Sequence, residues 1–160
     1  MTQREFYLER RRAELPVFLK VLKALPADQM EYKPHDRSPS ATQLVWTLTS
    51  ELRAGVDVTK EHRAEWKSDP APPLPEMIAL FEQWSKELID GVAAMDEEAW
   101  NQTAKFYYNG QMVSEQPAAQ FLWMIFFDAI HHRGQLTTYL RPMGSKVPAI
   151  YGPSADERPS

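Results

Sequence analysis

The chain has 160 residues, a net charge of −4, 43% hydrophobic and 25% charged residues, which is the make-up of one globular domain rather than of a disordered or fibrous chain. It has no cysteine, which excludes a disulfide framework, a thiolate metal site and a cysteine nucleophile. No basic block is long enough for a nucleic-acid footprint, and the longest uninterrupted apolar run, residues 121–127, falls far short of the ~20 residues that span a bilayer.

The first predicted helix covers about residues 2–25. Phe6, Val17, Phe18, Val21, Leu22 and Leu25 recur at helical spacing, and Pro16 inside the pattern predicts a kink or a break. The basic run Arg10-Arg11-Arg12, flanked by Glu9 and Glu14, reads as a solvated helix face. A second helix opens at Ser38-Pro39-Ser40, with Ser40 and Gln43 at capping-box spacing. Its stripe is Ala41, Leu44, Val45, Leu48 and Leu52, and it is expected to reach about residue 66. Four prolines between residues 67 and 75 cannot lie inside a helix and mark the connection to a third helix, about residues 76–95, with Met77, Ile78, Leu80, Phe81, Trp84, Leu88 and Val92 facing inward.

In residues 104–114, Phe106-Tyr107-Tyr108 and Met112-Val113 flank Asn109-Gly110, a strong tight-turn pair, so a short hairpin-like excursion is expected. The fourth helix runs from about residue 117 to 140. Residues 121–127 are apolar on all sides, which predicts a central, largely buried helix. Residues 146–160 read as a mostly extended C-terminal tail, with Val147, Ile150 and Tyr151 packing on the helices. The expected fold is all-α, a single domain over residues 1–160 built as a four-helix bundle.

The chemistry concentrates where the fourth helix meets Asp128, His131 and His132. Asp128 lies three and four positions before the two histidines, so these pairs share a helix face. A buried polar group left unpaired costs roughly 1–3 kcal/mol, so something must satisfy these side chains. One reading is a divalent metal bound by Asp128 and His132; the other is a hydrogen-bonded Asp–His pair that anchors neighbouring loops. Metal sites in bundles draw ligands from facing helices. Helix two offers Thr47 and Glu51, of which Glu51 lies nearer the centre of the apolar stripe, as a ligand, a general base, or a partner for Arg53. His62 lies ~16 Å further along the helix and is expected to be exposed; His35 reads as an ordinary loop residue. No phosphate loop, His-Glu-x-x-His or nucleophile elbow is present.

The run His131-His132-Arg133-Gly134-Gln135-Leu136-Thr137-Thr138-Tyr139-Leu140-Arg141-Pro142-Met143-Gly144 resembles the last-helix signature of the DinB superfamily, and residues 146–154 resemble one of its bacterial branches. The resemblance implies an up-down four-helix bundle, often a homodimer, and a divalent metal, commonly nickel or zinc, held by three histidines. Characterised relatives include thiol-dependent transferases and isomerases. Only His132 matches that triad: Asp128 stands at the first position of the His-x-x-x-His pair, and Thr47 at the helix-two position. The site would then be either carboxylate-rich, with Asp128, His132 and Glu51 or His131 favouring harder ions such as manganese or iron, or metal-free. His131 is expected to serve as a proton relay or support the ligands, and Thr47 to line the pocket.

The resulting expectation is a cytoplasmic protein, its N-terminus lacking the apolar core of a signal peptide, with a small-molecule substrate and neither nucleic acid nor membrane as partner. It would be a metal-dependent transferase or hydrolase. The alternative is a metal-free bundle that binds a small ligand or a second copy of itself.

Overall fold

The computed structural model describes residues 1–158, and the fold is mostly helical with a small three-stranded sheet. The first helix, α1 (Gln3–Lys23), starts at a capping box in which the Thr2 hydroxyl and the Glu5 carboxylate satisfy each other's backbone N–H groups. Of the expected kink or break at Pro16, the break does not occur: α1 is continuous through it. Pro16 and the Arg12 one turn before it are both exposed, so water can satisfy the carbonyl that proline leaves unpaired. The inward face also differs: Tyr7, not Phe6, is fully buried. Arg11 and Glu14, read as solvated, are buried as well.

Helix α2 (Ala41–Glu61) is capped by Ser40 with Gln43 completing the box. It ends five residues before the expected point. His62 adopts a left-handed conformation, φ 49°, and its N–H closes on the Val58 carbonyl. The chain then becomes strand β1 (Arg63–Trp66), which pairs in parallel with a later strand. The proline-rich connection follows, and α3 (Leu74–Ala94) begins with Pro75 in its first turn.

A short helix absent from the sequence reading, α4 (Glu97–Asn101), is capped by Asp96 and held by Trp100, which is 1% exposed. The expected hairpin is present as β2 (Thr103–Tyr108) and β3 (Gln111–Pro117). Asn109 (φ 48°) and Gly110 (φ 76°) give the two left-handed residues of a type I′ turn. The Glu65 carboxylate accepts from the Gly110 N–H at 3.1 Å, so β1 also braces the turn.

Helix α5 (Ala118–Leu140) matches its expected bounds. Helices α2 and α1 each pack against both α3 and α5, closing one core. At the α2–α5 crossing, the Gly55 backbone approaches Ile125 so closely that a Cβ would lie 2.9 Å from its Cδ1. One turn away along both helices, Glu51 faces Asp128. Residues 121–127 are less buried than expected: Met124 is 49% and Phe127 62% exposed. Among the described residues no helix is long and apolar enough to cross a membrane.

Beyond α5 the described tail has no regular secondary structure. Val147 and Ile150 pack on the core, whereas Tyr151 is 72% exposed; its hydroxyl bonds Arg133 and Glu14, and the Arg133 guanidinium lies 5.3 Å from its ring centroid. The last two residues of the expected tail lie outside the described residues.

Candidate metal centre

Glu51, Asp128 and His132 each present a ligand atom to the same point, with those atoms within 4.8 Å of one another. Glu51 reaches it from the buried face of α2, and Asp128 and His132 from successive turns of α5. The His132 Nε2 lies 3.3 Å from Asp128 Oδ2. Its other ring nitrogen, Nδ1, meets the Gln135 side-chain oxygen at 2.7 Å. Nδ1 donates there, which fixes the ring and turns Nε2 toward the two carboxyl groups.

This convergence has an electrostatic cost. Burial, followed by the hydrogen bond and repulsion from Asp128, pushes the Glu51 carboxyl up to about 10, and Arg11 opposes the rise only weakly. Glu51 is therefore neutral near pH 7 in the metal-free protein. One of its oxygens, Oε2, is shielded from solvent and has no hydrogen-bond partner. A buried orphan acceptor among two carboxyl groups and an imidazole fits a divalent cation, because ligand bonds would replace the missing partners. The donor set of two oxygens and one nitrogen suits ions harder than those selected by thiolate or three-histidine sites.

The site opens to a cavity of about 760 Å³ walled by Trp123, Met124, Ile125, Phe127, Asp128 and His131, with Glu51 and Gln120 also contributing. His131 is exposed on this wall, its ring centroid 5.3 Å from that of His132. Thr47 is half-buried one turn before Glu51 but lies neither in the convergent cluster nor among the cavity's lining residues. Arg53 pairs with Asp69 at 2.8 Å rather than with Glu51. His62 is half-buried, not exposed as expected. Its Nε2 donates to the Ala99 carbonyl at 2.9 Å, tying the end of α2 to α4. His35 is an exposed loop residue whose Nδ1 accepts from the Arg37 N–H.

The DinB family model matches residues 1–159. The chain belongs to the DinB family. Solved DinB-like proteins share its fold: one from Bacillus cereus, 18% identical, superimposes with a TM-score of 0.74 over 92% of this chain and 97% of its own. A second, from Bacillus subtilis, also 18% identical, gives 0.68 over 95% and 99%. A mycothiol-dependent maleylpyruvate isomerase, 13% identical, gives 0.61 over 91% of this chain and 62% of its own. No curated protein matches by sequence.

Two groups in this DinB chain escaped the sequence reading. Arg133, the arginine of the last-helix signature, is buried against Glu14 of α1 at 2.5 Å. The Tyr151 hydroxyl accepts from Arg133 and donates to Glu14 at 2.9 Å, so helix, helix and tail are clamped together. Arg11 is also buried, its guanidinium 4.1 Å above the Phe126 ring and its Nε donating to the Tyr7 hydroxyl at 2.8 Å. The signal was present: Tyr7, Arg11, Glu14 and Phe18 are spaced 4, 3 and 4 apart, which is one helix face.

Proposed function

We propose that this DinB protein is a divalent-metal-dependent enzyme of transferase or hydrolase type acting on a small molecule. The observation that carries the reading is the convergence of Glu51, Asp128 and His132 on one point with the Glu51 Oε2 left unpartnered. These three residues would hold the ion, with Glu51 giving up its proton when the ion enters. A bound divalent ion supplies polarisation of an electrophile or a lowered pKa for a coordinated water or thiol. Gln135 holds the His132 ring in its ligating tautomer. His131, exposed on the cavity wall, exchanges a proton with a ligand held there. The resemblance of fold to a mycothiol-dependent isomerase supports a low-molecular-weight thiol as one co-substrate. The scaffold for this site is an up-down four-helix bundle, and the working form is a cytoplasmic homodimer.

Calorimetric titration with manganese, iron(II), nickel and zinc tests the proposal. One ion should bind per chain, and binding should be lost in Asp128→Ala/His132→Ala. Retained affinity in that double variant would place the ion elsewhere. Failure of all four ions to bind would favour the second reading, a metal-free ligand-binding bundle in which Asp128 and His132 form a structural pair.

A further inference from the structure

Four buried side chains are of acidic or basic type: Arg11, Glu14, Glu51 and Arg133. Glu14 and Arg133 neutralise each other, and the Tyr151 hydroxyl bonds both. Glu51 belongs to the candidate metal centre. Arg11 is left over. It forms no ion pair among the described residues; its Nε donates to the Tyr7 hydroxyl at 2.8 Å, and its guanidinium lies 4.1 Å from the Phe126 ring centroid and 5.3 Å from that of Tyr7. The ring faces offset part of the cost of burying a charge, but a buried cation ordinarily has a counter-charge.

Arg11 stands behind the wall of the metal centre's cavity. Phe126 precedes Asp128 by two residues on α5 and packs on Trp123, ring centroids 5.9 Å apart, and Trp123 lines the cavity with Glu51 and Asp128. The field of Arg11 also reaches Glu51, where it opposes the rise of the carboxyl pKa. Arg11 itself does not line the cavity, so it acts there through its charge and not by contact. Among apolar rings that charge is screened far less than in water, and a guanidinium keeps it at any ordinary pH. A divalent ion held by the Glu51 and Asp128 carboxylates and a neutral His132 ring adds no net charge. The positive charge of Arg11 therefore stays uncompensated when the centre is loaded.

We propose that Arg11 makes the metal-loaded centre a site for one carboxylate ligand, which enters from the cavity and completes the coordination of the ion. This deepens the metal-enzyme reading and rests on it. The substrate class it names is a small molecule with a carboxylate on an apolar body, the body lying along Trp123, Met124 and Phe127. Oxygen is the donor that matches an ion chosen by two carboxylates and one imidazole, and a single negative charge is what Arg11 lacks.

The test measures two affinities at about pH 8, where a histidine of ordinary pKa is neutral. Calorimetry gives the manganese affinity. Relaxation of methyl protons by bound manganese gives the affinity of the loaded protein for acetate and for acetamide, its uncharged counterpart. In the unaltered protein acetate should bind saturably and about tenfold more tightly than acetamide. Arg11→Met removes the charge and keeps an apolar stem on Phe126. It should bind manganese about fivefold more tightly, because a neighbouring cation is gone, and acetate about fivefold more weakly. Arg11→Lys should return both affinities to their starting values, and Tyr7→Phe, which loses only the hydrogen bond, should change neither. A merely structural Arg11 would instead weaken both affinities together. That result, unchanged affinities in Arg11→Met, or equal binding of acetate and acetamide would each overturn the proposal while leaving the metal centre standing. If Arg11→Met does not fold, Arg11→Gln, also uncharged, is judged by the same two shifts. Failure of manganese to bind overturns the proposal as well, and the titrations with iron(II), nickel and zinc decide separately whether the metal-enzyme reading falls with it.

Discussion

Glu51 carries the largest imbalance at the scale of single residues. Its carboxyl is held near 10 in the folded chain against an ordinary value of 4.5. A raised folded value means that the stabilisation is complete below about pH 4.5 and is lost as the pH climbs toward 10, because the unfolded chain releases the proton first. Without metal, the protein should lose up to about 1.4 kcal/mol of stability per pH unit over that window from this group alone. Urea unfolding in chelator at about pH 5 and about pH 8 checks this, and Glu51→Gln should flatten the slope and stabilise the protein at the higher pH. Arg133 is the second residue with a defined outcome. Arg133→Ala leaves Glu14 buried without its cation, which should cost about 3–5 kcal/mol in the same assay. The candidate ligands were legible because the i, i+4 pair on α5 and the carboxylate beside the α2 stripe are local patterns. Arg11 and Glu14 were read as solvated and Gln135 was given no role, because a polar residue on a helix face shows its direction only once the neighbouring helices are placed.

Among the elements, the four long helices and the Asn109-Gly110 hairpin were readable from periodicity and turn chemistry. Strand β1 and helix α4 were not. β1 is four residues long and exists through pairing with β2, a non-local contact that no window of sequence contains. α4 spans five residues, too few for a helical period to show. Glycines on two helices make a clean comparison. A Cβ at Gly91 would lie 2.3 Å from Thr59 Oγ1 and 2.9 Å from its Cβ, whereas one at Gly134 meets nothing within 4 Å. Gly91→Ala should therefore push α3 off α2 and destabilise by about 1–3 kcal/mol. Gly134→Ala, in an open helical position, should stabilise by roughly 0.5–1 kcal/mol, as thermal unfolding of the two variants would show.

For the molecule as a whole, packing of α2 against α5 places the site, and packing of α1 against α5 buries Arg11 on Phe126, two residues before Asp128. Both rest on α5, which is less buried than the sequence suggests, with an exposed stripe at Met124 and Phe127. The uniform hydrophobicity of residues 121–127 reflects two uses, core on one side and cavity wall on the other, which composition alone does not separate. The tail joins the same assembly through Tyr151. Tyr151→Phe should loosen the tail, raising protease sensitivity after residue 145 while leaving metal affinity unchanged. The central claim, that Glu51, Asp128 and His132 form a metal centre, is tested most directly by elemental analysis of untagged protein purified without chelator. About one divalent metal ion per chain, absent from Asp128→Ala/His132→Ala, is the predicted result; no metal in the unaltered protein, or the same content in the double variant, would contradict it.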